Sequence, residues 1–337
     1  MKRVLVGISL VLLVLTLASF IGGQAQKAAK LPAQSGPELQ ARPPILDAGA
    51  RLNPLKIALL HWYLANTSTF FAVGSQPLGV CFDGANIWTA NFGDGTISKV
   101  RASDGTVLGT FLIGSGAEPY GVTFDGANIW ITNDANNTVT KLRASDGKTL
   151  GTFAVGNGPG WMAFDGANIW VPSGDGTVRK FRAIDGKNLG TFPVGVGAIG
   201  AAFDGTSVWV TNYGTNTVTK LRASDGTVLG TFTIGHGPLG IAFDGANMWI
   251  ANRNEGTISK LRASDGALLG TFLAPGGPYG VVFDGTHIWV SGDLYLRVLR
   301  ASDGVQVVDY QLQSEGMAFD GAFVWTAGQG ANSVFKF

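Results

Sequence analysis

The chain has 337 residues, 45% of them hydrophobic and only 14% charged, with 50 glycines and a formal net charge of +1. This balance excludes a disordered chain, which would be charge-rich and apolar-poor, and it provides no basic field for a nucleic-acid backbone. At this length a folded chain buries roughly 75% of its unfolded surface, so a self-sufficient core is available.

The N-terminus reads as a targeting segment, residues 1–25. Lys2 and Arg3 precede an uncharged apolar run over positions 4–21, and Gly23-Gln24-Ala25 places small residues at the −3 and −1 positions of a cleavage site. The run is long enough to approach a membrane span, so two readings stand: a cleaved signal peptide or an uncleaved N-terminal anchor. Both leave the positive residues inside and export the rest, to a periplasmic or secreted location. Cleavage after Ala25 removes Lys2 and Arg3 and takes the formal charge from +1 to −1. Cys81 is the only cysteine, so no intramolecular disulfide is possible; inside a strand it reads as a small buried hydrophobe rather than a reactive thiol.

Residues 26–53 are rich in Ala, Pro, Gln and Lys without periodicity and read as a linker. Residues 54–68 follow, opening on Asn53-Pro54 as a helix cap and first-turn proline. With Leu55, Ile57, Leu59, Leu60, Trp62, Tyr63 and Leu64 this stretch is too apolar to stand alone in water. It is expected to pack on the domain that follows, or else to dock on a membrane surface or partner.

From position 69 to the end the chain is periodic. Phe-Asp-Gly begins at Phe82, Phe124, Phe164, Phe203, Phe243, Phe283 and Phe319, at intervals of 42, 40, 39, 40, 40 and 36 residues, and a Trp follows six positions after each Phe. A period near 40 made of short apolar runs and Gly-containing turns predicts an all-β, seven-bladed β-propeller. The second repeat shows four strands: 120–124, 129–132, 138–143 and 149–153, with Asp125-Gly126 and Asp146-Gly147 as hairpin turns. An outer-strand copy, 69–73, precedes the first inner strand, and the chain ends at 333–337 on a third strand that lacks one. The N-terminal strand is therefore expected to complete the seventh blade and remove the ring's free edge.

The seven tryptophans are expected to pack between blades. The pairs Lys99/Arg101, Lys141/Arg143, Lys180/Arg182, Lys220/Arg222 and Lys260/Arg262 lie two apart on third strands, hence on one face. They read as partners of the turn aspartates, or as a basic face for an anionic partner.

Function is expected where blades differ. A Pro-x-Gly motif precedes most inner strands, and x reads Leu78, Tyr120, Gly160, Ile199, Leu239, Tyr279 and Glu315; Trp161 replaces the usual Gly in the third repeat. On the same face lie the loops after the Trp strands, carrying Asn91, Asp94, Asn133, Asp134, Asp175, Asn212, Tyr213, Asn252, Arg253, Glu255, Asp293 and Gln329. They read as a funnel rich in aromatic and amide groups, or simply as solvated loops. The candidate ligand-binding residues are Tyr120, Trp161, His236, Arg253, Glu255, Tyr279 and Glu315, for a peptide, a glycan, a protein or a small polar ligand. The chain contains three histidines (His61, His236 and His287) and no His-x-x-x-His, Cys-x-x-Cys, calcium-loop or nucleophile-elbow pattern; neither a catalytic set, a metal nor a cofactor is expected. The one acid–base pair that distant loops could assemble is His236 with Glu255 or Glu315.

With Phe-Asp-Gly-Ala-Asn-Ile-Trp, Asn-Thr-Val-Thr-Lys-Leu-Arg-Ala-Ser-Asp-Gly and Gly-Thr-Phe, the chain resembles bacterial exported propellers of the YVTN/YncE-like repeat group and the propeller family of the streptogramin (virginiamycin B) lyases. The resemblance covers about residues 69–337. The lyases carry a Pro-His-Gly-type motif at inner-strand starts and a Glu soon after the blade Trp, serving a magnesium-dependent elimination. Here the corresponding x position is Leu, Tyr, Gly or Ile, with Glu315 in the last repeat, and never His, and three residues after each Trp stand Asn91, Asn133, Ser173, Asn212, Asn252, Gly292 and Gly328. Amides and small residues do not supply that acid–base chemistry. The expectation is an exported, monomeric, non-catalytic binding propeller, with a metal-dependent lyase or hydrolase as the alternative.

Overall fold

The computed structural model describes residues 69–114 and 116–337. The targeting segment, the linker and the apolar segment expected within positions 1–68 lie outside the described residues.

Twenty-eight strands form seven four-stranded antiparallel sheets. Blade 1 is Pro77–Phe82, Asn86–Asn91, Thr96–Arg101 and Val107–Leu112, from the channel outward, and blades 2 to 6 repeat this order. Blade 7 takes three strands from the C-terminus, Met317–Phe319, Val324–Gly328 and Ser333–Lys336, and its outer strand, Thr69–Ala72, from the start of the described chain. Thr69 pairs with Lys336 and Ala72 with Ser333. The ring closes as the repeat count requires.

The Phe-Asp-Gly aspartate both makes the turn and anchors the tryptophan. Asp83 Oδ1 accepts the backbone N–H groups of Ala85 and Asn86 at 2.9 and 2.7 Å, while Gly84 takes the left-handed φ of +95° that the turn needs. Its second oxygen, Oδ2, accepts the indole N–H of Trp88 at 2.7 Å, and the same bond recurs in every blade. Burial works against the Asp83 carboxylate, but the donors of Trp88, Asn86 and Ala85 outweigh it and hold its pKa below the ordinary value. A buried indole donor and a half-buried carboxylate thus satisfy one another.

Trp88 is 0% exposed. It stacks on Phe111 of its own blade, with ring centroids 5.6 Å apart, and packs against Val122, Ile129, Ile131 and Leu142 of blade 2. Burying some 200 Å² of ring is worth about 5 kcal/mol per blade as an upper bound. Trp325 does the same against Val80, Ile87 and Val100 of blade 1, so the closing interface has the same chemistry as the others. Blade 6 departs: Trp289 is half-buried and stacks on Tyr310, with Val298 where most blades have lysine.

The Lys-x-Arg pairs divide into two roles. The arginines pair with turn aspartates, as Arg143 does with Asp146 at 2.9 Å, in exposed positions. The lysines do not pair with the aspartates that the arginines hold; Lys220 lies 3.9 Å from Asp204 of its blade's Phe-Asp-Gly turn. Lys141 is buried, sits 5.3 Å from the Trp130 ring centroid, and donates to the carbonyls of Ala183 and Ile184 in blade 3 at 2.6 and 3.0 Å. Each such lysine is a cationic clamp to the next blade, and Lys336 closes the ring on Ala102 of blade 1 at 2.9 Å. Cys81 is buried, and desolvation pushes its thiol pKa strongly upward, as befits an inert core residue.

Candidate binding site at the channel mouth

The register places the variable positions together. Pro77 pairs with Asn91, so the start of each inner strand lies beside the end of the second strand on one face of the ring. Two circles of non-repeating residues result. The inner circle is the x position; the outer is the fourth residue after each Trp: Phe92, Asp134, Gly174, Tyr213, Arg253, Asp293 and Gln329.

The glycine after x is fixed by steric contact between blades. A Cβ on Gly79 would lie 2.2 Å from the backbone oxygen of Tyr120, one on Gly240 2.4 Å from that of Tyr279, and one on Gly316 2.4 Å from that of Leu78. In the third blade the order is inverted: Gly160 makes the approach, with a virtual Cβ 1.9 Å from the oxygen of Ile199. Trp161 is then free to carry a side chain, and its backbone bridges in parallel to Gly200 of blade 4. The inversion leaves the inner strand of blade 3 with only Ala163–Phe164.

Three aromatic residues meet at the channel mouth, Tyr120 and Tyr279 from the inner circle and Trp161 one place after it. The hydroxyls of Tyr120, from blade 2, and Tyr279, from blade 6, lie 2.8 Å apart. The Trp161 ring packs 5.1 Å from each of their rings, edge-on to Tyr279. Trp161 also lines a lumen of about 160 Å³, together with Val80, Val122, Met162, Ile241, Met317 and the backbone of the close-approach glycines. A separate polar depression of about 370 Å³ spans blades 4 to 7, lined by Tyr213, Leu239, Arg253, Tyr279, Asp293, Gln313, Glu315 and Gln329.

Arg253 lies over the Tyr279 ring, 4.9 Å from its centroid, and its Nη2 donates to Asp293 Oδ1 and Oδ2 at 3.2 and 3.0 Å. Glu315 is only 5% exposed, and its Oε2 has no hydrogen-bond partner among the described residues. Its backbone is pinned: the carbonyl accepts the Ser291 hydroxyl, and the N–H donates to Ala327 at 2.9 Å. Burial pushes the Glu315 carboxyl up to about 7, with Asp293 adding to the rise, while Arg253 and the Tyr279 phenol oppose it. Burial likewise raises Tyr279 to about 12, the Glu315 charge adding to it.

Of the seven candidate residues, the structure brings together Tyr120, Trp161, Arg253, Tyr279 and Glu315. His236 and Glu255 lie apart from them, exposed in neighbouring loops. Glu255 Oε2 accepts the backbone N–H of His236 at 2.9 Å, and the imidazole Nδ1 faces Asn216 at 3.3 Å. They do not form an acid–base pair with each other, since it is the His236 backbone, not its ring, that Glu255 holds. Among the described residues no three His, Cys, Asp or Glu side chains converge on a point suited to a metal ion.

The strand-end asparagines do not form the expected amide funnel. Asn91, Asn133, Asn212 and Asn252 are buried strand ends whose Nδ2 groups bridge two hydroxyls of the third strand, as Asn91 does to Thr96 and Ser98, both at 2.9 Å. They staple blades 1, 2, 4 and 5 and do not line the mouth. Tyr213, Asp293, Gln313 and Gln329 line it instead. Comparing the seven repeats position by position singles out Tyr213, Asp293 and Gln329; Gln313 stands where blades 3 to 6 have Gly158, Gly197, Gly237 and Gly277.

No family model matches the sequence, and no curated protein matches it. Solved structures do match in fold. A streptogramin B lyase aligns with a TM-score of 0.69 at 19% identity over 80% of this chain and 96% of its own. A catalytically inactive virginiamycin B lyase from Staphylococcus aureus, determined with quinupristin, gives 0.69 at 19% over 80% and 98%. The hydrazine synthase of Kuenenia stuttgartiensis gives 0.69 at 14% over 79% and 96%. At these identities the likeness is one of architecture: the chain is a seven-bladed propeller similar in fold to streptogramin B lyase.

Proposed function

We propose that this is an exported, monomeric propeller that binds a ligand at its channel mouth, in the depression spanning blades 4 to 7. The observation that carries the reading is Glu315: a buried carboxyl with one unpartnered oxygen, in the wall of a space large enough for a ligand and shared with Arg253, Asp293 and Tyr279. A buried polar atom without a partner costs about 1–3 kcal/mol, and a ligand that supplies the partner recovers it. The volume falls in the lower part of the ~300–1,000 Å³ range of small-molecule sites. Peptide and glycan arrays probed with the purified protein test the reading. Binders lost in both Arg253→Ala and Glu315→Ala are expected, and a protein without binders, or with binders indifferent to both changes, would refute it. Export rests on the segment at positions 1–25, and a reporter fused after position 68 should be active outside the cytoplasm.

A second reading is elimination or hydrolysis with Glu315 as acid or base. It is favoured by a carboxyl pKa near 7, the range useful for proton transfer at neutral pH, in a fold shared with a lyase. The lyase-type His and Glu positions are unmatched here, so quinupristin incubated with the protein and magnesium should stay intact. Cleavage abolished by Glu315→Gln would instead establish this second reading.

A further inference from the structure

We propose that the mouth depression recognises an organic ammonium group, whose N–H donors bond the carboxylate of Glu315. The inference rests on the binding reading above and adds the ligand's charge and chemistry. Among the residues lining the depression there is one cation, Arg253, and two acids, Asp293 and Glu315. Arg253 is already engaged by both oxygens of Asp293 and by the Tyr279 ring. An incoming carboxylate or phosphate would therefore meet two carboxyl groups with the single cation occupied. An ammonium ion meets the reverse: a buried carboxyl, one oxygen of which accepts no hydrogen bond among the described residues. A neutral hydroxyl could donate to the same carboxyl but would leave the ionised carboxylate without a counter-charge. For the rest of the ligand, the Tyr213 ring at the rim and Leu239 provide apolar and aromatic surface.

The protonation of Glu315 is coupled to this recognition. The groups acting on it are Arg253, Asp293 and Tyr279, with the Tyr120 phenol behind Tyr279. Its carboxyl is partly protonated near pH 7, so an ammonium ligand should drive a proton off as it binds.

The test is titration calorimetry on the exported protein with four probes that share one aromatic body: phenethylamine, its trimethylammonium analogue, 2-phenylethanol and 3-phenylpropionate. Phenethylamine is expected to bind at least tenfold tighter than each of the others at pH 7.5, because it alone offers charge and N–H donors together. At pH 6.5 its binding should release protons, read from heats in buffers of different ionisation enthalpy. Glu315→Gln should weaken the amine at least tenfold and abolish the proton release, with a melting temperature no lower than that of the parent protein. No binding of phenethylamine, equal binding of the alcohol or carboxylate, or an unchanged affinity in a folded Glu315→Gln variant overturns the proposal. If an array ligand still binds and is lost in Arg253→Ala but indifferent to Glu315→Gln, the ammonium assignment falls while a ligand site at the mouth stands. If nothing binds, both fall.

Discussion

The hydroxyls of Tyr120 and Tyr279 meet at 2.8 Å across the channel although 159 residues separate them in the chain. The bond ties blade 2 to blade 6; Trp161, packed on both rings, lines the lumen, and Tyr279 lines the polar depression. A hydrogen bond of this kind contributes about 1 kcal/mol. Tyr120→Phe and Tyr279→Phe should each destabilise by about that amount, and the double variant by no more than either single one, because both remove the same bond. Denaturant unfolding of the four proteins measures this coupling; strict additivity would mean that the hydroxyls do not interact.

The glycines after x are a steric necessity of blade approach. Gly79→Ala would bring a Cβ within 2.2 Å of the Tyr120 backbone oxygen, which no side-chain rotation relieves. It should cost about 3 kcal/mol or more, in the overpacking range. Gly84→Ala, in a Phe-Asp-Gly turn with open space around it, should cost only the strain of a left-handed φ, about 1–2 kcal/mol. Thermal melts of both variants distinguish contact from conformation.

Two residues apart on one strand, Lys141 and Arg143 should behave unlike each other. Lys141→Ala removes a buried ammonium from two carbonyls of the next blade and should destabilise by about 2–3 kcal/mol. Arg143→Ala removes an exposed ion pair with Asp146 and should stay within about 1 kcal/mol. Equal losses in urea would show that the lysine clamp is not holding the interface.

Glu315 gives stability a pH dependence of definite sign. Its carboxyl is raised from 4.5 to about 7 in the folded state, so the unfolded chain ionises first. Stability therefore falls as pH rises from about 4.5 and levels off above about 7, by roughly 3 kcal/mol in all. Glu315→Gln cannot ionise and should lack this decline, so its melting temperature should gain on the parent protein's between pH 5 and pH 8. Parallel curves for the two proteins would contradict the burial-driven shift.

Architecture was legible in the residues because it repeats. Seven Phe-Asp-Gly turns set the blade count, and an unpaired third strand at 333–337 with an outer-strand copy at 69–73 set the closure. The chemistry was harder to read where one residue type serves two environments. Asn91 and Asn133 follow the apolar core of a strand and look like loop polars, but pairing continues through them and the third-strand hydroxyls absorb their amides. The lysines look like surface charge until their carbonyl acceptors on the next blade are seen. Trp161 stood out as an intrusion on a glycine position, yet that Gly160 takes over the close approach depends on the neighbouring blade. The meeting of Tyr120 with Tyr279, and of Arg253 with Asp293, depends on ring curvature, which periodicity does not encode.

The most direct test of the account is the titration of Glu315 itself. The chain contains four glutamates, Glu38, Glu118, Glu255 and Glu315, so side-chain carboxyl resonances of a glutamate-labelled sample can be assigned by single substitutions. One resonance, lost in Glu315→Gln, should titrate near pH 7 and shift to lower pH when phenethylamine is added. Four midpoints at the ordinary glutamate value of about 4.3 would contradict the buried carboxyl on which the proposed site is built.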